Sequence, residues 1–446
     1  MGCLWVEQDG SSAVNFLSLQ PLGRNREVPR LWIESQRLNR LGFPPGTPLE
    51  IRSHSGQLTL TPAILGENHV SSRLVPGGRR PIIDLANQSL LSGLADFSEV
   101  KIIASFERIQ VSPSHRAFAI QRSRTLMPPF RVLEVFAGGG TMTAALTGNA
   151  TFQVVAGVEI EPDFADEWQA RHPDATLVQA DIRALHTSEL PAFDVLIGGI
   201  PCTCHSNLGR AKKGLAGKPE LGDTGDLFLP VVTLVSERMP AAVVFENVPA
   251  FGKSLAGELL VSHLRRLGYH VTVEVLRPNE DWAELEDRQR WLLLGTLAKP
   301  FTLQVPHERC CTPMSAFLDR PDSELDRADA ERIARTIAGL RVHNARHRAA
   351  GHGFAFTEIA GNELRLPTIP RSYHKINTGP FVQTPFGLRL LRQAEIERLH
   401  GHTLLTRHYA TAVQMLGQGV QTRVFRAVFR QLADHLGTAM PVSAPV

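Results

Sequence analysis

From Phe130 onward the chain alternates apolar runs with segments of helical spacing. The runs are FRVLEVF (130–136), FQVVAGVEI (152–160), ATLVQA (175–180), FDVLIGGI (193–200), AAVVFENV (241–248), VTVEVL (271–276) and RWLLLGTL (290–297). Strand, helix, strand at this interval predicts an α/β, Rossmann-like domain: a doubly wound, largely parallel sheet with helices on both faces. Ligands of such sheets sit outside the carboxyl ends of the strands. Before Phe130 the pattern is different. Two stretches, PRLWIESQRLNRLGFPPGTPLEIRSHSGQLTLTP from Pro29 and RPIIDLANQSLLSGLADFSEVKIIASFERIQVSP from Arg80, share one arrangement. Leu49, Ile51, Leu58, Leu60 and Pro62 recur as Val100, Ile102, Ile109, Val111 and Pro113. Each copy reads as a strand, a helical turn, then two alternating strands joined by a tight turn.

A unit that small cannot bury its own apolar face, so two copies are expected to pair into one β-rich barrel. The duplicated pattern resembles the swapped-hairpin barrel of AbrB/SymE-like proteins, which implies a DNA-binding dimer folded here within a single chain. A structural role for this segment is an equal reading. The polar and basic stretch SPSHRAFAIQRSRTLMPPF, ending in two prolines, reads as the connection to the α/β domain.

Composition narrows the picture only slightly. At 446 residues, 43% hydrophobic and 20% charged, the chain suits a soluble protein of two or three domains. No apolar run is long enough to span a bilayer, and MGCLWVEQDGSS lacks the pattern of a signal peptide, so a cytoplasmic location is expected. Five cysteines (Cys3, Cys202, Cys204, Cys310, Cys311) are too few and too irregular for a disulfide framework. A net charge of +3 permits a nucleic-acid partner without requiring one.

Candidate chemistry lies at the predicted strand ends. LEVFAGGGT (133–141) closes the first strand with a glycine-rich turn that lets backbone approach a ligand, with Phe136 as an aromatic contact. The second strand ends in Glu159, suited to ribose hydroxyls, and the third near Asp181, suited to an adenine amine. The turn lacks both GxGxxG spacing and a Walker lysine, which disfavours dinucleotides and triphosphates. An adenosine without phosphate, as in S-adenosyl-L-methionine, fits better. The fourth strand ends in GGIPCTCHS and the fifth in VVFENVP, which brings a thiol and a carboxylate to one crevice. LEDRQRWLLLG sets Arg288 and Arg290 at alternate positions leading into a strand, hence on one face. Cys202, Cys204 and His205 lack the paired spacing of a metal knot, so no metal is expected.

At these residues the chain resembles the DNA (cytosine-5)-methyltransferase family. It carries Pro201-Cys202 with Ser206 four on, Glu246-Asn247-Val248, and Arg288-x-Arg290. It also carries RLLRQAEIERLHG, like the family's Arg-Leu-Thr-x-x-Glu-x-x-Arg-Leu-Gln-Gly, and GQGVQ, like its Gly-Asn-x-Val-Pro. It departs from the family at Glu286 (usually Gln), Glu134 (usually Asp), Leu391 (read as the Thr position) and Gln418 (usually Asn).

The resemblance implies a catalytic set of Cys202, Glu246, Arg288 and Arg290. Cys202 would add to cytosine carbon 6, Glu246 would stabilise ring N3, Arg288 would hold the base's carbonyl, and Arg290 would brace the site from behind. It implies S-adenosyl-L-methionine contacts at Phe136, Ala137, Gly138, Gly140, Thr141, Glu159, Ile160, Asp181, Ile182, Pro201, Gln418 and Val420. DNA contacts are expected at Ser206, Arg210, Lys212, Lys213, Arg341, Arg346 and Arg348, with a solvated charged surface as the other reading of both basic stretches. The implied organisation is a duplicated barrel (1–120), a linker (121–129), a catalytic domain (130–298), a target-recognition region (299–380) and a segment returning to the catalytic domain (381–440). The partner implied is double-stranded DNA, met by a nucleoid-associated monomer acting alone or beside a restriction endonuclease. A transfer-RNA cytosine-5 methyltransferase and an idle DNA-binding regulator are the alternatives.

Overall fold

A computed structural model describes residues 16–201, 223–349, 351, 356–376 and 379–437. The chain divides into two compact units, Met1–Thr125 and Leu126–Val446.

In the first unit the duplication runs further than the sequence pattern shows. Each copy supplies five strands in the same order: Phe16–Pro21, Gly23–Asn25, Val28–Glu34, Pro48–His54 and Gln57–Pro62, then Asn68–His69, Ser71–Val75, Gly78–Ala86, Glu99–Ser105 and Arg108–Pro113. Two sets of equivalent strands, Val28–Glu34 with Gly78–Ala86 and Gln57–Pro62 with Arg108–Pro113, pair with each other antiparallel, as a two-fold relation requires. Ile33 lies opposite Ile83, Leu58 opposite Val111, and Leu60 opposite Ile109. The leading strands are exchanged: Phe16–Pro21 runs along Glu99–Ser105 of the second copy, and Asn68–His69 runs along Pro48–His54 of the first. One apolar cluster draws on both copies, including Leu31, Ile33, Leu58, Leu60, Ile83, Leu85, Ile109 and Val111. The hairpin of Pro48–His54 and Gln57–Pro62 turns at Ser55 and Gly56, both at positive φ, the twist that suits a two-residue loop. The stretch read as a linker begins inside an α-helix, His115–Thr125.

The second unit is built on strands β1 (Phe130–Val135), β2 (Phe152–Glu159), β3 (Thr176–Gln179), β4 (Val195–Gly199), β5 (Ala242–Asn247), β6 (His270–Leu276) and β7 (Arg290–Thr296). They form one seven-stranded sheet of order β3-β2-β1-β4-β5-β7-β6. The first five strands are parallel, and β7 runs antiparallel between β5 and β6. Every residue of β5 is buried, which is why AVVFEN reads as a continuous run rather than an alternation. Helices α1 (Thr141–Ala144), α2 (Pro162–Arg171), α3 (Phe228–Arg238) and α4 (Leu255–Leu267) fall between strands, and α5 (Ser323–Ala349), α6 (Gln393–His400), α7 (Tyr409–Gln418) and α8 (Thr422–Gly437) follow the sheet. Val424, Phe425, Val428, Phe429 and Leu432 give α8 an apolar stripe that joins Phe130, Val132 and Phe152 in one core.

A second cluster gathers Ile333 and Ile337 of α5 with Leu366, Ile369, Tyr373, Phe381 and Ile396. Polar groups lock that cluster. Arg389, 3% exposed, donates to Asp326 Oδ1 at 3.1 Å and to both carboxylate oxygens of Glu395 at 2.8 Å. Among the described residues no helix is long and apolar enough to cross a membrane.

Candidate active site

The strand order reverses between β1 and β4, and there the loops after both strands open a crevice at the carboxyl edge. After β1, Phe136, Gly138 and Gly140 all take positive φ, a conformation that costs Phe136 steric strain and the glycines little. The Gly138 N–H points at the end of β2 and donates to Glu159 Oε2 at 2.6 Å. Glu159 Oε1 accepts from the N–H groups of Ile160 and Glu161, both at 2.9 Å. A Cβ on Gly138 would meet nothing within 4 Å, so the backbone there borders open space.

The C-terminal GQGVQ segment packs on the same turn. Val420 N–H donates to Thr141 Oγ1 at 3.1 Å, and a Cβ on Gly419 would fall 2.6 Å from the Thr141 side chain. The structure thus brings Phe136, Ala137, Gly138, Gly140, Thr141, Glu159, Ile160 and Val420 together. Ile160 is 54% exposed beside Glu159 and offers an apolar face, while Ile182 is buried and Gln418 is half-buried. Asp181 follows β3 and caps the turn after it, but Arg183 engages both its carboxylate oxygens, with Nη2 to Oδ2 at 2.7 Å. That contact holds the Asp181 carboxyl below its ordinary range, and a ligand amine at Asp181 has Arg183 as a competitor. An adenosine with no phosphate suits this turn, which presents two carboxylates and no lysine.

Beneath the turn lies a residue that no motif marks, packed on Glu134. Trp168 is wholly buried and donates from Nε1 to Glu134 Oε2 at 2.7 Å. It occupies space that Gly157 leaves free, since a Cβ there would sit 2.5 Å from the indole. A glycine in mid-strand is the signal available in the sequence. Burial pushes the Glu134 carboxyl up to about 8 against the pull of the Trp168 and Thr143 hydrogen bonds. The native state therefore keeps this proton where an unfolded glutamate has lost it, and its contribution to stability is present at low pH and fades as pH rises toward 8. Glu134→Gln keeps an acceptor for Trp168 and removes the titration. Its melting temperature should match the parent's near pH 5 and exceed it at pH 8.

At the other side of the crevice, Asn247 donates from Nδ2 to the Ile200 carbonyl at 3.0 Å, and Ile200 N–H donates to the Glu246 carbonyl at 3.2 Å. Pro201 therefore leaves β4 beside the end of β5. The residues after Pro201, among them Cys202, Ser206, Arg210, Lys212 and Lys213, lie outside the described residues. Glu246 is 6% exposed, and Arg290 forms an ion pair with it through Nε and Oε1. Burial raises the Glu246 carboxyl, while the guanidinium groups of Arg290 and then Arg288 pull it back. Because β7 is antiparallel, its first residue, Arg290, stands where the parallel strands end.

The two arginines therefore part, against the expectation that they share a face with Arg288 at the substrate. Arg288 precedes the strand, so alternation does not apply to it. It is 1% exposed, and its guanidinium donates to the carbonyls of Gly417 (2.7 Å), Gly419 (3.0 Å) and Ile369 (3.1 Å). It ties those backbone segments together, and Arg290 is the cation paired with Glu246.

The C-terminal motif also shifts by one. Counting from Glu395 and Arg398, the family's threonine position falls on Arg392, the N-cap of α6, rather than on buried Leu391. The Arg392 N–H donates to Glu395 Oε2 at 2.7 Å. On α5, Arg341, Arg346 and Arg348 are exposed. Arg341 and Arg348 share a face two turns apart, while Arg346 points elsewhere, and Arg341 pairs with Glu358 at 2.9 Å. Among the described residues no group of three or more His, Cys, Asp or Glu side chains could hold a metal ion.

Residues 130–434 match the profile of the family described as C-5 cytosine-specific DNA methylase. The chain is 27% identical over 316 residues to the Type II methyltransferase M.NlaX of Neisseria lactamica, covering 68% of this chain and 96% of that one. It is 31% identical over 329 residues to the Type II methyltransferase M.HgiBI of Herpetosiphon aurantiacus, covering 69% and 71%. Among solved structures, the S. pombe Dnmt2 methyltransferase superposes with a TM-score of 0.56 at 18% identity, over 69% of this chain and 99% of that one. The Entamoeba histolytica methyltransferase EhMeth gives 0.55 at 17% identity, over 69% and 98%. At such identities the two structures share a fold with this chain.

Proposed function

The chain belongs to the C-5 cytosine-specific DNA methylase family and is a DNA cytosine-5 methyltransferase, and from that premise we propose that it methylates a cytosine flipped out of a specific double-stranded DNA sequence, through a covalent bond to Cys202. The observation that carries this reading is the buried Glu246–Arg290 pair at the ends of β5 and β7, beside the end of β4 from which Pro201 leads into Cys202.

The chemistry needs a nucleophile because carbon 5 of cytosine is a weak one. Addition of the Cys202 thiolate to carbon 6 forms an S–C6 bond and leaves an enamine whose carbon 5 is electron-rich. Glu246, its carboxyl raised by burial and so more readily protonated, would share a proton with ring N3 as charge develops there. Arg290, set against Glu246, takes the base's carbonyl oxygen, the role that the family resemblance alone gives to Arg288. S-adenosyl-L-methionine, when bound, supplies a sulfonium-activated methyl group. Gly138, Glu159, Ile160, Thr141 and Val420 would hold it. After transfer, carbon 5 gives its proton to water or hydroxide, the S–C6 bond breaks, and the thiolate is restored. The base must leave the stack for any of these groups to reach it.

Expression in a bacterial host that lacks cytosine methylation tests the proposal. Bisulfite sequencing of genomic DNA should show protected cytosines at one recurring sequence. Protection confined to host transfer RNA would replace DNA by RNA as the substrate, and protection in neither would remove the activity.

A further inference from the structure

Three ionisable side chains, Glu286, Arg288 and His400, sit buried behind the site, and two of them mark departures from the family's pattern. Glu286, 0% exposed, stands where the family has glutamine before Arg-x-Arg, and His400, 0% exposed, stands where it has glutamine in Arg-Leu-Gln-Gly. The two positions are 114 residues apart in sequence, by subtraction of 286 from 400, yet their side chains meet. His400 Nε2 lies 3.1 Å from Glu286 Oε2, within ion-pair distance, and neither of these atoms nor His400 Nδ1 makes a hydrogen bond. The other carboxylate oxygen, Oε1, accepts from Ile369 N–H at 2.8 Å and lies 3.4 Å from Arg288 Nη1. An unpaired oxygen of a buried carboxylate is costly, and His400 is the donor within reach of it.

The contacts continue toward the crevice. Arg288, steadied by Glu286, donates to the carbonyls of Gly417 and Gly419, and the next residue, Val420, donates to Thr141 of the glycine turn.

We propose that His400 is a positioning residue for the S-adenosyl-L-methionine site: it completes the hydrogen bonding of Glu286, which fixes Arg288, which holds the Gly417–Val420 wall against the glycine turn. Glu286 and His400 form a matched acid–imidazole pair in place of two amides. The inference rests on the reading of the glycine turn as the cofactor site.

The test uses the full chain and three proteins: the parent, His400→Leu, and the double variant Glu286→Gln/His400→Gln. Each is measured by calorimetric titration with S-adenosyl-L-methionine, by thermal melting, and by methyl transfer to unmethylated bacterial genomic DNA. His400→Leu strands the Glu286 oxygen and should weaken cofactor affinity by roughly tenfold or more, with turnover at saturating cofactor largely kept. The double variant, two amides that can bond each other, should recover both melting temperature and affinity to within about threefold of the parent. If His400→Leu does not fold, recovery in the double variant decides the matter alone. Unchanged affinity in His400→Leu, or a double variant as impaired as His400→Leu, overturns the proposal. A parent that binds no S-adenosyl-L-methionine would instead remove the cofactor reading, while the melting temperatures would still report whether the pair is matched.

Discussion

Replacing Cys202 with alanine is expected to abolish methyl transfer, on the order of 10⁴-fold or more, because loss of a nucleophile removes the covalent route rather than slowing it. Cys204→Ala should keep most of the activity. The distinction follows from backbone placement. The Ile200 N–H and carbonyl are both held from β5, by the Glu246 carbonyl and the Asn247 side chain, so the chain passes Pro201 at a fixed point beside the Glu246 carboxyl. Cys202 is the next residue, and Cys204 lies two further on. DNA carrying 5-fluorocytosine gives a direct reading, since fluorine at carbon 5 cannot leave as a proton and the S–C6 bond persists. Denaturing electrophoresis should show the DNA adduct with the parent and with Cys204→Ala, and none with Cys202→Ala. An adduct that survives in Cys202→Ala and vanishes in Cys204→Ala would transfer the role to Cys204.

The middle of the sheet was legible because its strands are buried on both faces, and burial on both faces writes itself as runs such as VVFEN and RWLLLGT. The glycine turn and Glu159 were legible for a related reason: the fold places each at the end of such a run. Side-chain partners were less so. Alternation places residues on a strand face only within the strand, and β7 begins at Arg290, so the spacing that put Arg288 and Arg290 on one face does not extend back to Arg288. A histidine inside Arg-Leu-His-Gly gives no local hint that it faces Glu286, because that contact is made by tertiary packing. The second copy's leading strand is hidden for another reason. Asn68–His69 is only two residues long and carries no apolar alternation, although its pairing with Pro48–His54 mirrors that of Phe16–Pro21.

Arg290→Ala and Arg288→Ala are expected to fail in different ways. Arg290 touches the Glu246 carboxylate at the crevice, so its loss should lower kcat by roughly 10²- to 10³-fold, the usual cost of removing one charge-stabilising donor, and lower the melting temperature by stranding a buried carboxylate, with S-adenosyl-L-methionine affinity near the parent's. Removing Arg290 also removes the first of the two cations that pull the Glu246 carboxyl down, so that carboxyl rises further. A step that needs Glu246 protonated then persists to higher pH, and the alkaline limb of the residual kcat profile moves upward. Arg288 is 1% exposed and holds three backbone carbonyls together with Glu286. Its removal leaves a buried carboxylate and those carbonyls short of donors, a loss of about 3 to 5 kcal/mol, and loosens the Gly417–Val420 wall. Arg288→Ala should therefore melt lower and bind S-adenosyl-L-methionine poorly before any effect on chemistry is seen. Denaturant melts, calorimetry and pH–rate profiles on the two variants separate the cases. An Arg288→Ala protein that melts and binds cofactor like the parent but loses kcat would return the substrate-facing role to Arg288.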